Sequence, residues 1–135
     1  MSKKDNKEHA NANGSGIIRI MRAFSCSIKG FQAAFINEAA FRQELILCGI
    51  LFPFSFIISE TLTNWVILIC SLLFLLLIEI INSAIEALAD KISFDHHELL
   101  GRAKDLGSAA VFIALTITLL IWVNYIYLYF SVKHF

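Results

Sequence analysis

Two carboxylates seven residues apart, Glu79 and Glu86, interrupt the end of a long apolar run, with Asn82 and Ser83 between them and Asp90 beyond. At about 100° per residue, a helix brings Glu79 and Glu86 within about 20° of each other around its axis. Asn82 and Ser83 flank them, Asp90 continues the line, and Ile, Ala and Leu occupy the opposite face. A carboxylate inside a span costs about 2.5–3.5 kcal/mol on insertion scales, and a second in register doubles that penalty. Acids retained at such a cost face a partner or a cavity and mark function. Asn or Ser alone would glue helices together more cheaply. Two such carboxylates suit Mg²⁺, which takes one or two of them together with substrate phosphates. One of the pair can also accept a proton from a hydroxyl. The two roles together describe Mg-assisted phosphoryl transfer. A small channel or proton-relay subunit built on a carboxylate ring would show similar residues.

The neighbouring polar segment, about Asp90 to Asp105, favours the first reading. It contains His96, His97, Glu98, Arg102, Lys104 and Asp105. Arg102 and Lys104 can neutralise phosphates, and the two histidines offer ring faces and nitrogens to a purine. A channel has no use for such a group beside the acids. No GxxxxGK[ST], GxGxxG or kinase catalytic-loop pattern occurs, and His96-His97-Glu98 is not a zinc motif. Any ATP is therefore handled by a different architecture.

These residues need elements to position them, and composition says which kind. Of 135 residues, 58% are hydrophobic and 16% charged, against roughly 45–50% and about 25% in soluble domains. Three spans of about 20 residues each leave roughly 75 for everything else, too few for a separate soluble catalytic domain. An all-α membrane protein is expected, with a disordered polar tail over 1–16 and one membrane domain over 17–135. Ile17, Met21, Phe24, Ile28, Phe31 and Phe35 recur at helical steps, with Arg19, Arg22, Lys29 and Gln32 off the stripe. This predicts an amphipathic helix over about 17–36 lying in the membrane surface. Spans follow over about 42–58, where Arg42 can snorkel and Pro53 kinks the helix, then 64–90 and 106–130. Trp122, Tyr125, Tyr127 and Tyr129 form an aromatic belt at the far end of the last span.

Eleven Lys/Arg balance eleven Asp/Glu, and nothing suggests a nucleic-acid surface. Ten of the eleven basic residues lie before residue 45 or between the second and third spans. The positive-inside rule therefore predicts a cytoplasmic amino terminus and an external carboxyl terminus. Cys26, Cys48 and Cys70 form no disulfide or metal pattern and read as small apolar fillers.

From about Arg19 to Trp122 the chain resembles the small integral-membrane diacylglycerol kinases of bacteria. The resemblance is carried by Asn37-Glu38-Ala39-Ala40-Phe41-Arg42-Gln43-Glu44, by Glu79-Ile80-Ile81-Asn82-Ser83-Ala84-Ile85-Glu86, and by His97-Glu98 leading to Gly101-Arg102-Ala103-Lys104-Asp105. The first and third motifs look like the Gram-negative branch; the undecaprenol kinases of Gram-positive bacteria share the second and are the nearest alternative. The resemblance implies a homotrimer in the bacterial inner membrane that phosphorylates diacylglycerol with ATP to give phosphatidic acid. It implies Glu79 as general base, and Glu38 and Glu86 as Mg²⁺ carboxylates. Arg19, Asp95, His97, Lys104 and Asp105 correspond to nucleotide positions, His96 lies beside them, and Asn82 supports the site. Arg19, Gln43, Glu79 and Ser108 correspond to the lipid side. Cys26 and His96 stand where the family often has aromatics, Asp95 where a Glu is sometimes found, and Leu100 where a small polar residue is found. These departures touch nucleotide fit more than phosphoryl chemistry.

Overall fold

The computed structural model describes residues 16–92 and 97–133. Four helices hold almost all of them, with no strand among the described residues: α1 (Ile17–Asn37), α2 (Ala39–Ile58), α3 (Leu62–Ile92) and α4 (Glu98–Lys133). The expected all-α class and helix order are found. The tail over 1–15, Asp95 and His96 lie outside the described residues.

Helix α1 and the bundle from Glu38 onward are two compact units. In α1 the stripe Ile17, Met21, Phe24, Ile28 and Phe31 is exposed, from 43% at Ile28 to 74% at Ile17. The Ser27 hydroxyl donates to the Ala23 carbonyl (3.1 Å) and the Asn37 amide to the Ala33 carbonyl (2.9 Å). These polar groups thus turn back onto the helix's own backbone.

Helices α2, α3 and α4 are each long and apolar enough to cross a membrane. Their 20, 31 and 36 residues correspond to about 30, 46 and 54 Å at 1.5 Å per residue, against roughly 30 Å of hydrocarbon. Helices α3 and α4 are thus longer than the hydrocarbon is thick, and each carries a polar stretch at one end. Glu86, Asp90 and Lys91 on α3, and Glu98, Arg102, Lys104 and Asp105 on α4, identify that end.

The polar segment from Asp90 to Asp105 is helical over most of its described length. Helix α4 begins at Glu98, and the Leu100 and Gly101 amides both donate to the His97 carbonyl at 3.0 Å. Hydropathy marks the edge of the hydrocarbon, not the end of the helix. Glu98 in the first turn meets the positive end of the helix dipole, and its spacing to Arg102 favours an i,i+4 pair. Helix α2 continues through Pro53, whose ring leaves the Gly49 carbonyl without its helical donor.

The packing runs antiparallel between α3 and α4. Tyr125 Oη donates to Asn64 Oδ1 (3.4 Å), Trp122 Nε1 to Ser71 Oγ (3.2 Å), and Thr118 Oγ1 to the Ser71 carbonyl (3.2 Å). Cys48, Ile58, Leu68, Leu72 and Trp122 form the buried core around these bonds. From α2, Cys48 Sγ reaches the Leu72 carbonyl at 3.9 Å, in keeping with its reading as a filler that packs. The core thus fixes the rotation of α3, and with it the direction in which its acids point.

Candidate functional site

The buried face of α3 runs Leu68, Leu72, Leu75, Glu79, Asn82 and Ala89. A single stripe at steps of three and four carries both the core leucines and the acids. Glu79 is 2% exposed and Asn82 8%, so both point inward; Glu86 is half-buried and Asp90 exposed. The Asn82 amide donates to Glu86 Oε1 at 2.9 Å.

Helix α2 adds acids to the same place. Its inward stripe is Phe41, Glu44, Cys48, Ser55 and Ile58. Glu44 is 7% exposed and lies one turn before Cys48, which contacts α3 at Leu72. Glu44 and Glu79 are electrostatic neighbours, and Glu79 in turn feels Glu86 and Glu38. Glu38 is the N-cap residue of α2, but its side chain makes no cap bond. Four buried side-chain polar atoms among the described residues lack a hydrogen-bond partner, and three are here: Glu44 Oε2, Asn82 Oδ1 and Ser83 Oγ.

The remaining expected positions are less closely drawn together. Lys104 Nζ pairs with Asp90 Oδ1 at 3.0 Å, with side chains 40% and 56% exposed. Such an exposed pair is screened by solvent and contributes little to stability. Gln43, His97, Asp105 and Ser108 are exposed on the bundle, and Arg19 is exposed on α1. Asp95 and His96 lie outside the described residues. Glu44, next to the expected Gln43, is the residue of this pair that the packing buries. Its signal was available: Glu44 lies three residues after Phe41 and four before Cys48, on the inward stripe of α2. Asp90 was seen as part of the acidic line, but not as the partner of Lys104.

The donor set fits Mg²⁺. No group of three His, Cys, Asp or Glu able to hold a metal occurs among the described residues. Mg²⁺ needs no such cage, since it keeps several waters and takes one or two carboxylates with substrate phosphates. Glu38 and Glu86 are hard oxygen donors, and the Asn82 amide on Glu86 is the kind of outer-sphere partner that orients a metal-binding carboxylate.

The fold and site define a small polytopic helical membrane protein with an acidic, inward-facing cluster at the wet end of its spans. Prokaryotic diacylglycerol kinase is the family whose model matches residues 25–126. The chain is 44% identical over 110 residues to "Diacylglycerol kinase" of Escherichia coli strain K12, covering 82% of this chain and 90% of that protein. It is 43% identical over 108 residues to the protein of the same name from Haemophilus influenzae, covering 80% and 92%. The Pseudomonas aeruginosa protein of that name is also 43% identical over 108 residues, covering 80% and 88%. The chain belongs to the prokaryotic diacylglycerol kinase family. It is accordingly a membrane-embedded, ATP-dependent lipid kinase.

Proposed function

We propose that this protein transfers the γ-phosphoryl group of ATP to the free hydroxyl of 1,2-diacylglycerol, giving phosphatidic acid and ADP at the cytoplasmic face of the bacterial inner membrane. The observation that carries this reading is that Glu79 and Asn82 are buried on the inward stripe of α3, with the Asn82 amide donating to Glu86, where the apolar run of the span gives way to polar residues. A lipid hydroxyl and a nucleotide phosphate can meet only near that boundary.

In this reading Glu79 accepts the hydroxyl proton as the new O–P bond forms and the bond from the γ-phosphorus to the bridging oxygen breaks. Burial keeps water away from the same phosphorus. Glu38 and Glu86 would hold Mg²⁺, which when bound neutralises phosphate charge. Asn82 holds Glu86 in place. Lys104 leaves Asp90 for the phosphates, with His97 and Asp105 on the nucleotide side; the family resemblance assigns Arg19, Asp95 and His96 to the nucleotide as well. Gln43, Glu79 and Ser108 are assigned to the lipid side, and the resemblance adds Arg19 to that role. Phosphoryl transfer of this kind depends on positioning and charge neutralisation. The large apolar faces left exposed on α2, α3 and α4 support lipid contact and a homotrimer, in which neighbouring copies cover part of them. The distribution of basic residues supports a cytoplasmic amino terminus and a periplasmic carboxyl terminus.

The test offers radiolabelled ATP to the purified protein in mixed micelles, with diacylglycerol and undecaprenol in parallel. Labelled phosphatidic acid formed faster than labelled undecaprenyl phosphate is the expected result. Preferential labelling of the isoprenol would move the protein to the undecaprenol kinase reading, and no labelled lipid at all would remove the kinase assignment. In the same assay Glu86→Gln should raise the Mg²⁺ concentration for half-activation by at least about tenfold. An unchanged titration would exclude Glu86 as a ligand.

A further inference from the structure

Gly107 and Asn82 meet where α4 crosses the acidic stretch of α3. A methyl group placed on Gly107 would overlap Asn82 Oδ1 and stand 3.3 Å from its Cγ and 3.8 Å from its Cα. The same methyl on Gly30, Gly49 or Gly101 meets nothing within 4 Å. Gly107 is therefore the glycine of the bundle whose missing side chain is used.

The Asn82 amide has two ends, and its surroundings choose between them. A carboxylate oxygen accepts hydrogen bonds, and Nδ2 faces Glu86, donating to Oε1 at 2.9 Å. That leaves Oδ1 against Gly107, buried and without a donor. A buried oxygen left in this way is unfavourable. The opposite orientation would set Oδ1 against the Glu86 carboxylate. Any side chain at 107 would push the amide off the one arrangement that serves the acid.

We propose that Gly107 is a positioning residue of the phosphoryl-transfer site. By contributing no side chain it lets Asn82 present its N–H to Glu86, and so sets the orientation of the carboxylate proposed above to bind Mg²⁺. The inference rests on that reading of Glu86. It also separates Gly107 from its neighbours in an apolar cleft of about 390 Å³, which Asn82 and Gly107 line together with Ile78, Ile85 and Leu106. A residue that merely lined this cleft would act on the lipid, not on the metal.

The experiment compares wild type, Gly107→Ala, Asn82→Ala, the Asn82→Ala/Gly107→Ala double variant and Gly49→Ala in mixed micelles. Gly107→Ala should raise the Mg²⁺ concentration for half-activation about tenfold, the size expected for loss of an outer-sphere partner. Gly49→Ala should match wild type. The double variant should match Asn82→Ala, because the clash disappears with the amide. If Gly107→Ala fails to fold, the double variant should restore folding; equal misfolding of both would overturn the proposal. A raised KM for diacylglycerol with an unchanged Mg²⁺ titration would overturn it too, assigning Gly107 to the cleft.

A readout independent of turnover distinguishes this inference from the metal reading beneath it. In protein labelled with ¹⁵N-asparagine, the Asn82 side-chain amide resonance is identified by its loss in Asn82→Ala. It should move in both Glu86→Gln and Gly107→Ala. If it moves while Glu86→Gln titrates Mg²⁺ normally, the contact stands and the metal role of Glu86 falls. If it stays in place in Gly107→Ala, the positioning role is overturned whatever the metal does.

Discussion

The two ends of the bundle treat most of their buried polar groups differently. In the half remote from the acids, Ser71 Oγ donates to the Leu68 carbonyl at 2.7 Å and accepts from Trp122 Nε1, while Thr118 donates to the Ser71 carbonyl. Those hydroxyls and the indole are closed upon one another, and Trp65 Nε1 is the one buried polar atom at this end, among the described residues, without a partner. In the acidic half, Glu44, Asn82 and Ser83 each keep a buried polar atom without a partner. Satisfied groups lock a structure, whereas unsatisfied ones are the places a substrate can occupy. The first half behaves as scaffold and the second as a site in waiting.

Substitutions can break or sharpen this contrast. The largest effect is expected in the acidic half: Glu79→Gln should lower kcat by about 10²–10⁴-fold, the usual contribution of a general base. The thermal unfolding midpoint in detergent should stay within a few degrees of wild type. Loss of the folded protein instead would make Glu79 a structural acid. Next, Leu68→Ala in the scaffold half should destabilise the protein by about 2–5 kcal/mol, read by denaturation in mixed micelles. The KM values of the surviving folded fraction should not change. Trp122→Phe removes a single donor to Ser71 and should cost about 0.6–1.7 kcal/mol, again without altering the Mg²⁺ requirement. The smallest effect on stability is expected from Lys104→Met, with an unfolding midpoint indistinguishable from wild type, because its pair with Asp90 is exposed. The same variant should raise the KM for ATP. An unchanged KM would leave Lys104 a surface cation.

What the sequence made legible follows the reach of each signal. The period of α1 placed it over 17–36 and the helix runs Ile17–Asn37. The line through Glu79, Asn82 and Glu86 was also readable, because periodicity within one helix is local information. Helix α4 begins at Glu98, eight residues ahead of the apolar span expected from 106, because a helix can carry solvated charges beyond the hydrocarbon. Glu44 was hidden for a related reason: an acid at the polar flank of a span reads as the span's edge, and only the packing of α2 turns it inward. Gly107 and the Asp90–Lys104 pair were beyond reach altogether. Both depend on the register of two helices against each other, which no single-helix pattern encodes.

Helix α3 is one uninterrupted rod from Leu62 to Ile92, with leucines gripping its lower half and acids studding its upper half. Such a rod works as a ruler as well as a support. Adding one residue between Leu75 and Glu79 would lift the upper half by about 1.5 Å and swing it through about 100°, throwing every acid out of phase with the leucines at once. Deletions and insertions there should therefore be far less forgiving than point changes. The height of the acids above the bilayer centre is written into a residue count.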